Sequence, residues 1–172
     1  MLEAYKTTHL HEGDQTLDLV VSFDERKKSR YKTLTSNGQA LGWFLERGRV
    51  LSQDDVLVCE DGTLVKVSAA DEQVSDVTSS NTLLLTRAAY HLGNRHVPLQ
   101  VGECFLRYQQ DHVLDAMVEG LGLQVMHVQR PFQSENGAYA GSGHGHHGGH
   151  EEAGEGHAHS HSHSHTSTHS HG

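Results

Sequence analysis

Asn81-Thr82-Leu83-Leu84-Leu85-Thr86-Arg87-Ala88-Ala89-Tyr90-His91-Leu92-Gly93 is the stretch on which the fold turns. Leu85, Ala88, Ala89 and Leu92 recur at the i, i+3, i+4, i+7 spacing of a helix that buries one face. Ser80 or Asn81 can cap its first turn, because a short polar side chain accepts from the free amides there. Gly93 is the expected stop, in the position that favours a left-handed residue. Downstream, residues 97–101 and 104–108 read as two strands turned at Gly102. A second helix is expected from about His112 to Glu119, with Val113, Leu114, Met117, Val118 and Leu121 on one side and Gly120 and Gly122 at its end. Residues 123–128 form a last strand candidate before Pro131. Upstream, residues 71–80 are polar and read as a junction, although residues 74–77 within them can supply a first strand. With that strand the order is β-α-β-β-α-β, the ferredoxin-like split βαβ arrangement.

Residues 1–72 read differently, as a small all-β domain. Leu17, Leu19 and Val21 alternate with Asp18 and Val20, and Leu64-Val65-Lys66-Val67 is a second strand-like run. Turn signals fall at Glu12-Gly13-Asp14, Ser36-Asn37-Gly38, Arg47-Gly48 and Glu60-Asp61-Gly62, which suits a sandwich or an open barrel. Arg26-Lys27-Lys28-Ser29-Arg30 is expected to be a solvated loop, with a docking patch for an acidic partner as the less favoured reading. Cys59 and Cys104 have apolar neighbours and are expected as buried free thiols on strands. The expected class is α+β: an N-terminal β domain over 1–72, a ferredoxin-like domain over 73–140 and a tail over 141–172.

That tail holds 11 of the 17 histidines. His144, His146, His147 and His150 come first, then the alternating His157, His159, His161, His163 and His165, then His169 and His171. Its other residues from 144 onward are Gly, Ser, Thr, Ala and three Glu, so nothing there is apolar enough to fold around, and disorder is expected. Neutral imidazole is a borderline donor suited to nickel, zinc and copper. A purification tag is usually an unbroken histidine run, and a solubilising tail needs no histidine, so metal binding is the favoured reading. Composition does not name the metal, because Cu²⁺ outranks Ni²⁺ and Zn²⁺ on almost any imidazole site.

Bulk properties exclude several classes. A formal charge of −9 argues against a nucleic-acid partner and favours cations. Met1-Leu2-Glu3-Ala4-Tyr5-Lys6 lacks the basic-then-apolar pattern of a signal peptide, and no apolar run nears the ~20 residues that span a bilayer. A cytoplasmic protein with no membrane partner is expected. No phosphate loop, His-Glu-Xaa-Xaa-His or Gly-Xaa-Ser-Xaa-Gly motif is present, so no enzyme activity is expected.

Within the folded region, His91 and His96 are five residues apart. On one helix that is a rotation of roughly 140°, too far for a chelating pair. His91 reads first as a capping or packing residue near a helix C-terminus, where the dipole favours imidazole. His96 lies beyond the expected stop and is the exposed candidate. One histidine holds metal usefully only with ligands from elsewhere. A two-fold dimer would supply its twin, and the tail would supply more. Asp111 reads as an N-cap and His112 as an exposed first-turn residue, together a weaker peripheral site. His9 and His11 would share a strand face and make only a weak pair, and His127 reads as structural.

Tyr90-His91-Leu92-Gly93-Asn94-Arg95-His96-Val97-Pro98-Leu99-Gln100 resembles the urease accessory protein UreE family, the nickel metallochaperones of urease maturation. Asp111-His112-Val113-Leu114-Asp115, Pro131-Phe132, Gly137-Ala138-Tyr139, and weakly Arg47-Gly48, Val50-Leu51 and Asp55-Val56-Leu57 extend the similarity over essentially the whole chain. The resemblance implies a homodimer whose ferredoxin-like domains meet head to head, with Ni²⁺ shared by two copies of His96 and joined by tail histidines. It also implies delivery to the urease apoprotein through the GTPase UreG. Gln109 and Gln110 stand where some relatives carry histidine, which leaves any site at Asp111 and His112 poorer in ligands. Asp54 stands where the family often has glycine. The competing function is a histidine-rich metal buffer for nickel, zinc or copper.

Overall fold

The computed structural model describes residues 1–135, within which two sheets follow one another along the chain. The tail expected to be disordered, with all 11 of its histidines, lies outside the described residues.

The first sheet has six strands: β1 (Leu2–Thr8), β2 (Thr16–Val21), β3 (Arg30–Leu34), β4 (Ala40–Phe44), β5 (Val56–Cys59) and β6 (Leu64–Ala69), in the order β2-β6-β5-β1-β4-β3. Alternation does what it should on β2 and β6, sending Leu19, Val21, Val65 and Val67 inward beside Leu41, Trp43, Leu51 and Leu57. Trp43 is fully buried, and its indole Nε1 donates to the Lys28 carbonyl at 2.8 Å, which satisfies the one polar atom it brings inside. Ser36 N, just past one edge strand, donates to Asp18 O on the other at 2.8 Å. The sheet therefore curls on itself as an open barrel, the second of the two expected forms.

A single helical turn, α1 (Phe23–Arg26), interrupts the β pattern after Ser22, which forms a capping box with Glu25. The basic stretch expected as a solvated loop begins in this turn, and Arg26 is buried. Its Nη1 donates to Leu51 O at 2.8 Å and Gln133 Oε1 at 2.9 Å, and its Nη2 donates to Phe132 O. These acceptors come from distant parts of the chain, so no local pattern could signal them.

Asp54 lies in the turn before β5, where the resemblance leads to an expectation of glycine. Its φ is 67°, in the left-handed region where glycine is unstrained. Aspartate is accommodated because its carboxylate bonds Lys66 Nζ at 2.9 Å and Gln53 Nε2 at 3.3 Å.

The second sheet is built from β7 (Asp71–Thr78), β8 (Gln100–Val101), β9 (Phe105–Gln109) and β10 (Val125–Pro131), in the order β10-β7-β9-β8, with all pairs antiparallel. Helices α2 (Thr82–Gly93) and α3 (His112–Gly120) complete the expected β-α-β-β-α-β order. Leu85, Ala88 and Leu92 of α2 pack with Val118 of α3 and with Val77, Leu106 and Tyr108 of the sheet.

The polar residues expected as a junction turn out to be β7, a central strand. Their polarity is satisfied by partners far along the chain. Asp76 receives Arg107 Nε at 2.5 Å and Nη2 at 2.9 Å, both groups nearly buried, and Ser75 Oγ donates to Asp115 Oδ1 at 2.7 Å. A buried charge is tolerable in a central strand only when paired in this way. Other boundaries shift. The strand expected over 97–101 shrinks to Gln100–Val101, and the last strand starts at Val125. Cys59 is buried as expected, but Cys104 is exposed just before β9.

Phe23, Val74 and Phe132 form a small buried cluster joining α1 to the second sheet, with Phe23 edge-on to Phe132 at 5.0 Å. No helix among the described residues is long and apolar enough to cross a membrane.

Candidate metal centre

Helix α2 ends at Gly93 as expected, but Gly93 does not take the left-handed conformation expected of a stop. Its backbone stays right-handed, and the chain then tightens. Arg95 N donates to Leu92 O at 3.0 Å, His96 N to Gly93 O at 2.9 Å, and Val97 N to Leu92 O at 3.4 Å. The last two bonds are those of a Schellman closure, in which the penultimate residue is left-handed. That residue is His96, at φ 56°. Val97 folds back against the cluster that contains Leu92, and Pro98 prevents any further helical turn. Glycine was expected at the left-handed position, and a histidine occupies it.

His96 is consequently exposed at the end of α2, and its described hydrogen bonds are those of its backbone amide. His91 has a different setting. It is half-buried within the last turn, edge-on to Tyr90 at 5.3 Å, and its carbonyl accepts from Arg95 Nη1 at 3.1 Å. That placement suits packing.

Asp111 caps α3, its Oδ1 accepting from Val113 N at 2.8 Å and Leu114 N at 3.1 Å. His112 beside it is exposed, and the two line a polar depression with Gln73, Gln109 and Gln110. The glutamine amides are engaged elsewhere. Gln109 Nε2 donates to Glu72 Oε2 at 3.3 Å, and Gln110 Nε2 meets His127 Nδ1 at 3.1 Å. His9 and His11 lie past the end of β1, both exposed, where His11 N is turned onto Asp14 Oδ2 at 2.9 Å.

One polar centre escaped the reading from sequence. Asp115 is buried under α3 and accepts from Ser75 Oγ at 2.7 Å and Tyr108 Oη at 2.8 Å, with His127 Nε2 at 2.8 Å. Burial opposes its charge, but the bonds from Ser75, His127 and Tyr108 outweigh it and hold the carboxyl below the usual carboxylate range. Burial, and then Asp115 itself, push the Tyr108 hydroxyl far up. Both ring nitrogens of His127 are occupied, in keeping with a structural role. The available signal was Asp115 on the stripe of Val118, three residues on, where an apolar residue is the default.

Among the described residues, no three His, Cys, Asp or Glu side chains gather as a ready metal cage. His96 is instead a single exposed imidazole, and a complete site there needs donors from outside residues 1–135 of one chain. The tail histidines, His144 to His171, fall outside the described residues.

The chain is similar to known proteins along most of its length. Residues 2–70 match the family model described as UreE urease accessory protein, N-terminal domain, and residues 72–171 match that described as its C-terminal domain. It is 64% identical over 144 residues to the urease accessory protein UreE of Teredinibacter turnerae, covering 83% of this chain and 94% of that one. It is 54% identical over 149 residues to that of Saccharophagus degradans (84% and 89% covered) and 52% over 126 residues to that of Proteus mirabilis (73% and 78% covered). UreE proteins are accessory proteins and not enzymes. With both family models and nearly the full length of these relatives matched, the chain belongs to the urease accessory protein UreE family.

Proposed function

We propose that this protein serves urease maturation as a nickel metallochaperone, carrying Ni²⁺ to the urease apoprotein with the accessory GTPase UreG as partner. The observation that carries the reading is His96, an exposed imidazole held on a hydrogen-bonded turn, with no group of three possible ligands among the described residues. A ligand so placed suits a shared site, and a two-fold homodimer would bring its twin to the same axis. The 11 tail histidines supply capacity and additional donors, with His144, His146, His147 and His150 ahead of the alternating run. Zn²⁺ and Cu²⁺ would bind the same imidazoles. Asp111 and His112 form at most a weaker peripheral site, since one Asp111 oxygen is already committed to the cap. On this proposal residues 1–72 and 73–140 act as two domains in a cytoplasmic dimer, the second binding metal and dimerising.

A nickel titration of the intact chain, the His96→Ala variant and a chain cut before His144 tests the proposal. His96→Ala should abolish the tightest phase, and the cut should lower stoichiometry while leaving that phase in place. An unchanged tight phase in His96→Ala rejects the proposed site. A metal buffer, favoured only by the tail composition, predicts that binding survives His96→Ala and vanishes with the cut.

A further inference from the structure

His96 is one of two non-glycine residues with left-handed backbone among the described residues. A Cβ in that conformation meets the following carbonyl, so the position favours glycine, and a β-carbon is kept there at a cost to the fold. Nothing about ending α2 requires histidine. The Schellman closure needs only the amides of residues 96 and 97 and the apolar contact of Val97 beside Leu92. A strained residue persists where its surroundings over-determine it, and such residues cluster where a side chain must be aimed.

We infer that the Leu92–Val97 closure is a positioning device for the His96 imidazole, and that Val97 is a positioning residue for metal capture. This rests on the proposed role of His96 as a nickel ligand. The two closing bonds set the direction of the His96 Cα–Cβ bond from the end of α2. Val97, half-buried against the helical core, keeps the turn shut when no metal is bound. The ligand is thus aimed before the ion arrives, and binding loses less freedom than it would from an open loop.

The test uses the full-length protein and Ni²⁺ as the probe. Thermal unfolding is followed with a chelator present, and the tight nickel phase is followed by calorimetry. His96→Gly should raise the metal-free unfolding temperature by about 2–4 °C while losing the tight phase. His96→Ala should lose the same phase without the gain. Val97→Ala should weaken the tight phase by about tenfold, and Val97→Ile should restore it. A His96→Gly chain that melts no higher overturns the strain. A Val97→Ala chain that melts lower but binds nickel as before reduces Val97 to a packing residue and overturns the positioning role. A His96→Ala chain that retains the tight phase removes the nickel-ligand role itself, an outcome distinct from either.

Discussion

Asp54 and His96 share a backbone conformation, at φ 67° and 56°, and share nothing else. Asp54 lies in the turn before β5, and its carboxylate is absorbed by Lys66 and Gln53. The surrounding structure answers the side chain it finds there. His96 closes α2 with its backbone alone, and its ring is exposed. One left-handed residue is compensated within the fold. The other leaves its imidazole exposed, as the proposed role of metal ligand would require.

The sharpest way to break that contrast is to truncate each side chain and titrate nickel. His96→Ala should abolish the tight phase, because it removes a proposed ligand itself, whereas Asp54→Ala should leave it unchanged. Equal losses would mean that neither position is special.

Glycine substitution separates strain from compensation. His96→Gly should stabilise the metal-free chain by about 1 kcal/mol in chemical denaturation, the usual gain from removing a β-carbon in this region. Asp54→Gly should gain less, because it also discards the bond to Lys66. A larger gain at Asp54 would show that its carboxylate does nothing for the turn.

The smallest effect lies in pH. The hydrogen bond from Lys66 holds the Asp54 carboxyl below its ordinary range. A depressed acid stabilises the fold above its unfolded pKa of about 3.9, and that contribution is lost as pH falls through the lower folded value. The stability difference between the parent and Lys66→Met should therefore be small and flat near neutral pH and should vanish in strong acid. Nickel should leave much earlier, below roughly pH 6, because imidazole must be neutral to bind and its ordinary pKa is about 6.5. Full nickel stoichiometry at pH 5 would assign the metal to carboxylates or thiols instead.

Much of the fold was legible because its signals are local. The apolar stripe of α2, the caps at Asn81 and Asp111, the turn at Gly62 and the alternation of β2 and β6 all appear where the residue pattern places them. The misses share one cause. Residues 74–77 were legible as a strand, but the rest of β7 looked like a junction because its residues are polar, and the partners of Asp76 and Ser75, Arg107 and Asp115, lie 31 and 40 residues away. Arg26 looked solvated because its acceptors Leu51 and Phe132 are 25 and 106 residues distant. Gly93 ends the helix as expected but looked like its left-handed residue because glycine usually takes that place, whereas His96 takes it, where Val97 can pack and Pro98 forbids another turn.

The candidate site divides in the same way. Residue types alone determined that imidazoles are abundant and that the motif from Tyr90 to Gln100 resembles a nickel chaperone, because donor chemistry and local motifs are properties of residues. Local periodicity likewise determined the helices and their order. Only the tertiary structure decided that β7 is central, that Arg26 is buried and that His96 takes the left-handed place at the end of α2. Each of those depends on which distant groups meet, and on a backbone angle that no side chain announces.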